Sequence, residues 1–215
     1  MNKILIADDH VLVRLGMELL VKEVLGSACA IDFASDGSEL SEKLEKNEYQ
    51  ILISDLNMPG ITGLEMVANA LKLQNTLRIL LVSVNPELMF AHRYLKAGVF
   101  GYIQKGNSHE ELKKAIYEIS MGRRYLTNSQ TRQFTNAFLN DFPSNPFDIL
   151  SARELEVALL LLKGNGALEV STTLSINPST ASTYRGRIFD KLGIKNIIEL
   201  SQLARQYHFL GDDSM

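Results

Sequence analysis

The 215-residue chain is 46% hydrophobic and 22% charged, with a formal net charge of -3. That balance suits a folded globular protein and excludes one that binds nucleic acid through global positive charge. The lone Cys29 excludes an intramolecular disulfide and argues against a structural zinc site, so a reducing, cytosolic setting is expected. With no basic-then-apolar leader and no apolar run of bilayer length, no membrane partner is expected.

In chain order, Lys3-Ile4-Leu5-Ile6-Ala7 reads as a strand ending on Asp8-Asp9, followed by an amphipathic helix over 11–25. A strand over 30–33 and a helix over 38–46 come next. Ile51-Leu52-Ile53-Ser54 ends on Asp55, before a helix over 63–72. Ile79-Leu80-Leu81-Val82 ends on Ser83, before a helix over 87–97. Tyr102-Ile103-Gln104 ends on Lys105, before a helix over 108–120. Strands that are apolar at successive positions predict a parallel sheet buried on both faces. Such a sheet gathers the carboxyl ends of its strands at one edge, where open α/β folds bind ligands.

The first domain is thus expected over 1–121, with a connection over 122–149. That connection holds one more helix, 128–140, and then the proline-containing polar stretch 141–148. Beyond it the strand signal vanishes, leaving an all-α second domain of four helices over 150–210 and a tail, 211–215. Ser151-Ala152-Arg153-Glu154 reads as a capping box for a helix that stops at Gly164. A second helix over 167–174 leads to Asn177-Pro178, a cap followed by a suitable first helical residue. The third helix therefore starts near Pro178 and ends at Gly193, and the last covers 196–207. A tight turn between the second and third makes a helix-turn-helix pattern.

Asp8, Asp9 and Asp55 crowded at one sheet edge would repel unless a cation sat among them, and hard oxygen ligands favour Mg²⁺. Asp55 is the best candidate nucleophile, because Met58-Pro59-Gly60 forms a turn that exposes it. A carboxylate can attack phosphorus to give an acyl phosphate, with Mg²⁺ and Lys105 neutralising charge and Ser83 bonding a phosphoryl oxygen. The backbone carbonyl of Asn57 is a further candidate metal ligand. A phosphatase would need an acid where Asn57 stands, so no enzymatic turnover is expected beyond phosphotransfer to Asp55 and slow self-dephosphorylation.

In the second domain, the third helix is expected in the DNA major groove. Ser179, Thr180, Ser182 and Thr183 would face bases or phosphates, with Arg185, Arg187 and Lys191 on the backbone. Residues 150–215 carry seven Lys plus Arg against seven Asp plus Glu, so the positive charge is confined to this helix and its surroundings. Ile188, Phe189 and Leu192 are expected in the core, and Leu200, Leu203 and Ala204 on an exposed strip available for dimerisation.

The Asp-Asp pair, Asp55-Leu56-Asn57-Met58-Pro59-Gly60 with Gly63, Ser83, and Gly101-Tyr102-Ile103-Gln104-Lys105 resemble the receiver domains of bacterial two-component response regulators, over residues 3–121. The segments 150–157, 168–170, 178–181 and 184–193 resemble a LuxR-type helix-turn-helix, and the two parts together resemble the NarL/FixJ architecture. The resemblance implies a five-stranded, flavodoxin-like doubly wound receiver in which Asp55 accepts a phosphoryl group from a histidine kinase. It implies Mg²⁺ held by Asp9, Asp55 and the Asn57 carbonyl with Asp8 acting through water, Lys105 paired with the acyl phosphate, and Ser83 and Tyr102 as the switch pair. Phosphorylation would alter homodimerisation and binding to double-stranded DNA, regulating transcription. The alternative is a phosphorylation-dependent adaptor whose helical domain binds protein. Ser83 replaces the commoner Thr, Gly106 follows Lys105 where many receivers have Pro, and Gly166-Ala167 and Ser171 depart from the usual second helix.

Overall fold

Short strands with no polar face cannot leave either side of a sheet in water, and this chain covers both. The computed structural model describes residues 3–60, 63–139 and 146–207. The chain forms two compact units, Met1–Ala137 and Phe138–Met215. In the first, β1 (Lys3–Ala7), β2 (Ala30–Ala34), β3 (Ile51–Ser54), β4 (Arg78–Ser83) and β5 (Gly101–Gln104) make one sheet in the order β2-β1-β3-β4-β5. Each neighbouring pair of strands is parallel. Between the strands lie α1 (Val11–Leu25), α2 (Gly37–Lys46), α3 (Gly63–Leu73) and α4 (Glu87–Lys96), and α5 (His109–Ser120) follows β5. Helix α1 packs with α5, and α2 with α3. Ile4, Ile6, Ile51, Ile53, Leu80, Val82 and Ile103 share a core cluster with Val21 of α1 and Ala115, Ile116 and Ile119 of α5. Each such aliphatic side chain removed from water contributes about 1.5–3 kcal/mol.

The ladder runs past the strand ends and so fixes the edge residues. The Asp8 N–H donates to the Ala34 carbonyl at 3.1 Å, the Asp55 N–H to Ala7 at 2.8 Å and the Lys105 N–H to Ser83 at 2.6 Å. Gly106 takes φ +109°, a conformation closed to proline.

The segment after α5 differs from the expected connection over 122–149, because its first part is built into the first unit. Tyr125 donates its N–H to the Phe100 carbonyl at 2.8 Å and forms a parallel bridge with Gly101. Gly101 is tight: a Cβ there would stand 3.1 Å from methyl groups of both Ile119 and Leu80. Helix α6 (Asn128–Leu139) follows, with Thr127 and Gln130 buried. Residue 140, the last of the expected helix 128–140, and residues 141–145 of the proline-containing stretch lie outside the described residues, as do 208–215.

In the second unit a 3-10 turn (Pro146–Ile149) precedes α7 (Ala152–Leu162), α8 (Ala167–Thr173), α9 (Pro178–Leu192) and α10 (Ile197–Gln206). The capping box is present, with Ser151 Oγ accepting the Glu154 N–H and Glu154 accepting the Ser151 N–H. Asn177 holds the cap position of α9, but its side chain makes no capping bond; Pro178 and the left-handed Gly193 bound the helix as their chemistry requires. The strip expected on the last helix is a correction: Leu200 and Ala204 are both 0% exposed, because α10 turns them onto α7. Its solvent side carries Ile198 instead, 66% exposed. Among the described residues no helix is long and apolar enough to cross a membrane.

Two features of this unit give measurable consequences. Ser175, in the turn between α8 and α9, takes φ +50°, which costs an L-residue about 1–2 kcal/mol. Less the entropy glycine adds to the unfolded chain, Ser175→Gly should stabilise the unit by about 0.5–1 kcal/mol, seen as a higher Tm in calorimetry. The buried Glu154 carboxylate also accepts from Lys191 Nζ at 2.7 Å. Burial opposes its charge, but Lys191 and the Ser151 donors outweigh that and hold its pKa below the ordinary glutamate value. A depressed folded pKa stabilises the unit above the unfolded value and ceases to do so as pH falls through the folded one. Glu154→Gln should therefore cost about 1–3 kcal/mol at neutral pH. In urea unfolding, the gap between variant and parent should close as pH drops below about 4.

Candidate phosphoacceptor site and helix-turn-helix

Because β1 and β3 are adjacent and in register, Asp8 and Asp55 emerge side by side, 3% and 4% exposed. Lys105, from the end of β5, reaches across β4 and places its ammonium 2.7 Å from Asp8 Oδ2 and 2.7 Å from Asp55 Oδ2. Burial opposes the ammonium's charge, yet the two carboxylates outweigh it and raise the lysine pKa above its usual value. Lys105 thus stays protonated throughout the physiological range. The other Asp55 oxygen accepts the N–H groups of Leu56 at 2.7 Å and Asn57 at 3.2 Å.

Asp9 sits at the outer side of this edge and pairs with His10 Nδ1 at 2.6 Å. Ligand atoms of Asp8, Asp9 and His10 lie within 4.8 Å of one another, an arrangement compatible with a metal ion. The donors fit a hard cation, since Lys105 reaches Asp8 and Asp55 but not Asp9, whose carboxylate pairs with His10. His10 was not singled out from the sequence; its position directly after the Asp pair was the available signal. Arg14, one turn into α1, reaches the Asp8 carbonyl and was missed as well.

Ser83 is fully buried, and its Oγ accepts from Asn57 Nδ2 at 3.3 Å and from the Asn85 N–H at 3.2 Å. Tyr102 is turned inward. Its hydroxyl donates to the Asn85 carbonyl at 3.0 Å, and its ring stacks on Tyr94 of α4, with centroids 5.7 Å apart. Sequence reasoning missed a polar cluster beside it. Glu87, at the start of α4, accepts from Thr127 Oγ1 at 2.8 Å, from Ser129 Oγ, and from Gln130 Nε2 at 3.4 Å. The signal was Thr127-Asn128-Ser129-Gln130, a capping-box spacing before a helix.

In the second unit, Ser179, Ser182, Thr183, Arg185 and Arg187 are exposed on α9, and Thr180 is half-buried. Thr183 Oγ1 donates back to the Ser179 carbonyl at 2.9 Å, and the Arg185 guanidinium lies 5.3 Å from the Phe189 ring centre. Lys191 differs from the other expected phosphate contacts, since it is tied to Glu154. Ala181 and Ile188 face the core, with Phe189 and Leu192 half-buried. Gly186 is exposed, with nothing within 4 Å of where a Cβ would stand.

Comparison with known proteins agrees with this division. The response regulator receiver domain family matches residues 4–117, and the luxR family of bacterial regulatory proteins matches residues 148–204. The response regulator GacA of Pseudomonas syringae pv. syringae is 34% identical over 205 residues, covering 95% of each chain. The response regulator UvrY of Escherichia coli is 31% identical over 205 residues, 95% of this chain and 94% of that one. Among solved structures, RcsB from Salmonella enterica serovar Typhimurium bound to promoter rprA with the phosphomimetic BeF3- superimposes with a TM-score of 0.64. It is 23% identical and covers 94% of this chain and 98% of that one. A structure of two RcsB dimers bound to two parallel DNAs gives a TM-score of 0.59 at 23% identity, covering 95% of this chain and 98% of that one. These structural likenesses bear on the fold. With a parallel sheet that gathers carboxylates, an ammonium and a hydroxyl at one edge, a helix-turn-helix later in the chain, and relatives matched almost end to end, the chain belongs to the NarL/FixJ family of two-component response regulators, transcription regulators that join a receiver to a LuxR-type DNA-binding domain.

Proposed function

We propose that Asp55 is the phosphoacceptor and that its phosphorylation by a histidine kinase controls dimerisation and DNA binding. The observation that carries this reading is the buried Asp8–Lys105–Asp55 contact, two carboxylates held by one ammonium at the ligand-binding edge of the sheet. One oxygen of Asp55 forms the new bond to phosphorus as the donor's phosphorus–nitrogen bond breaks, and the electron pair returns to the histidine nitrogen. Lys105 then has an anionic phosphoryl oxygen to neutralise in place of a carboxylate. The Leu56 and Asn57 N–H groups hold the aspartate in position throughout. Asp8, Asp9, Asp55 and the Asn57 carbonyl would hold Mg²⁺, which when bound supplies charge neutralisation for the transferring phosphoryl group. Ser83 answers to the phosphate, and Tyr102 follows Ser83.

Helix α1 leads away from the acidic edge and carries exposed Val11, Leu12, Leu15 and Leu19, an apolar surface suited to cover by the phosphodonor protein. In the second unit, Ser179, Thr180, Ser182 and Thr183 face the major groove, while Arg185 and Arg187 contact phosphates. Lys191 serves first to hold α9 to α7 through Glu154, with its partly exposed side chain beside the DNA backbone. Small hydroxyl side chains give each half-site modest discrimination, so a homodimer on a two-fold operator supplies the remainder. The GacA and UvrY relationships and the DNA-bound RcsB dimers support this reading, and the lone Cys29 supports a cytosolic setting.

Acetyl phosphate with Mg²⁺ should add one phosphate to the native chain and none to Asp55→Asn, as read by intact mass. Equal labelling of both would reject Asp55 as the acceptor. The logarithm of the DNA affinity of the phosphorylated protein should fall linearly with the logarithm of salt concentration, and Arg187→Ala should lower that slope by about one. Binding without salt dependence would point to protein docking instead.

A further inference from the structure

The polar cluster around Glu87 joins three parts of the first unit that sequence order keeps apart: the start of α4, the end of β5 and the first turn of α6. Gln130 is 0% exposed and sits at its centre. Its Nε2 donates to the Tyr102 carbonyl at 2.7 Å and approaches Glu87 Oε2 at 3.4 Å, while its Oε1 accepts the Thr127 N–H at 3.2 Å. Thr127 and Ser129 hold the other Glu87 oxygen, and Asn107, two residues past Lys105, approaches Glu87 Oε2 at the long distance of 3.5 Å. Tyr102 is thereby pinned at both ends, its hydroxyl on Asn85 and its carbonyl under Gln130. An unbroken series of bonds runs from the acidic edge to the helix by which the chain leaves this unit. Ser83 Oγ meets the Asn85 N–H, the Asn85 carbonyl meets the Tyr102 hydroxyl, and the Tyr102 carbonyl meets Gln130.

We propose that Glu87 and Gln130 form a clamp that makes α6 the reader of the receiver's phosphorylation state. The proposal rests on the Asp55 reading above. When Ser83 turns its hydroxyl to a phosphoryl oxygen, it gives up its bond with Asn85, and the loop carrying Asn85 is free to shift with the Tyr102 hydroxyl it holds. A loop shift that draws the β5 backbone at Tyr102 with it alters the Gln130 bond, which is made to the Tyr102 main-chain carbonyl, and Gln130 is part of α6's own cap. Because α6 is one continuous helix, Asn128–Leu139, a change in its first turn is carried along its length to the boundary at Ala137. A cluster with only a stabilising task could be replaced by packed apolar groups. A satisfied polar cluster sets one geometry, which a small displacement upstream can exchange for another. Glu87 and Gln130 are positioning residues here, and neither touches the acidic edge.

The test uses the full chain with acetyl phosphate and Mg²⁺ as the phosphodonor. It compares the native protein, Gln130→Leu and Glu87→Gln by three readouts: phosphate on Asp55 by mass, hydrogen exchange of residues 125–132, and DNA affinity with and without phosphate. The native chain should show altered exchange over 125–132 on phosphorylation and a change in DNA affinity within the range of about 5–150-fold usual for coupled sites. Gln130→Leu should take up phosphate to the native extent while its affinity ratio falls towards one. Glu87→Gln keeps the shape of the site and should show the same loss in smaller degree, so the test survives if Gln130→Leu does not fold. Variants that are labelled and still respond with the native ratio overturn the clamp, as does unchanged exchange over 125–132 in the phosphorylated native chain. Absence of label on the native Asp55 rejects the phosphoacceptor reading itself and, with it, the input the clamp requires.

Discussion

One ammonium between two nearly dehydrated carboxylates is the constraint around which the first unit is arranged. Asp8 and Asp55 left alone at that depth would each lack a counter-charge, and taking unpaired ions from water costs several kcal/mol apiece by the usual order of magnitude (about 3–5 kcal/mol when one partner of a buried pair is removed). Lys105 can serve both only if β1, β3 and β5 end at the same level, which parallel pairing through β4 enforces. The apolar strands and the helices that cover them thus supply stability and also set the spacing of three charges.

Much of this was readable in advance because each local signal agreed with the next. Strands with no polar alternation require cover on both faces, cover requires crossovers, and crossovers make the sheet parallel. The convergence of Asp8, Asp55, Ser83 and Lys105 follows from topology alone. The limits were equally physical. His10 and Arg14 join the edge because α1 starts there, a matter of direction that periodicity does not carry. The Glu87 cluster depends on a chain reversal after Gly122 that brings Thr127 and Gln130 back onto α4 and β5, and no local propensity encodes that contact.

The second unit shows a different boundary between pattern and packing. Caps and stops at Ser151, Pro178 and Gly193 are local chemistry and are present in the structure. The side of α10 that faces inward is tertiary: Leu200 and Ala204 have the spacing of an exposed stripe and of a buried one alike, and contact with α7 decides between them. Lys191 illustrates the same point for charge. A lysine near the end of a helix reads as solvated, but a buried capping-box carboxylate 37 residues back in the chain recruits it.

Tyr125 also bears on how the receiver behaves when separated from its partner. β5 is one of the two outer strands of the sheet, and Tyr125 lies along its beginning, occupying the Phe100 carbonyl and closing over Gly101. A fragment cut after Met121, where the strand–helix alternation ends, would bare that margin and strip Thr127, Ser129 and Gln130 from the Glu87 carboxylate. Open strand margins recruit other strands. Self-association of so short a fragment would report the removal of its own selvage, and a receiver that retains residues through Ala137 would keep the seam sewn.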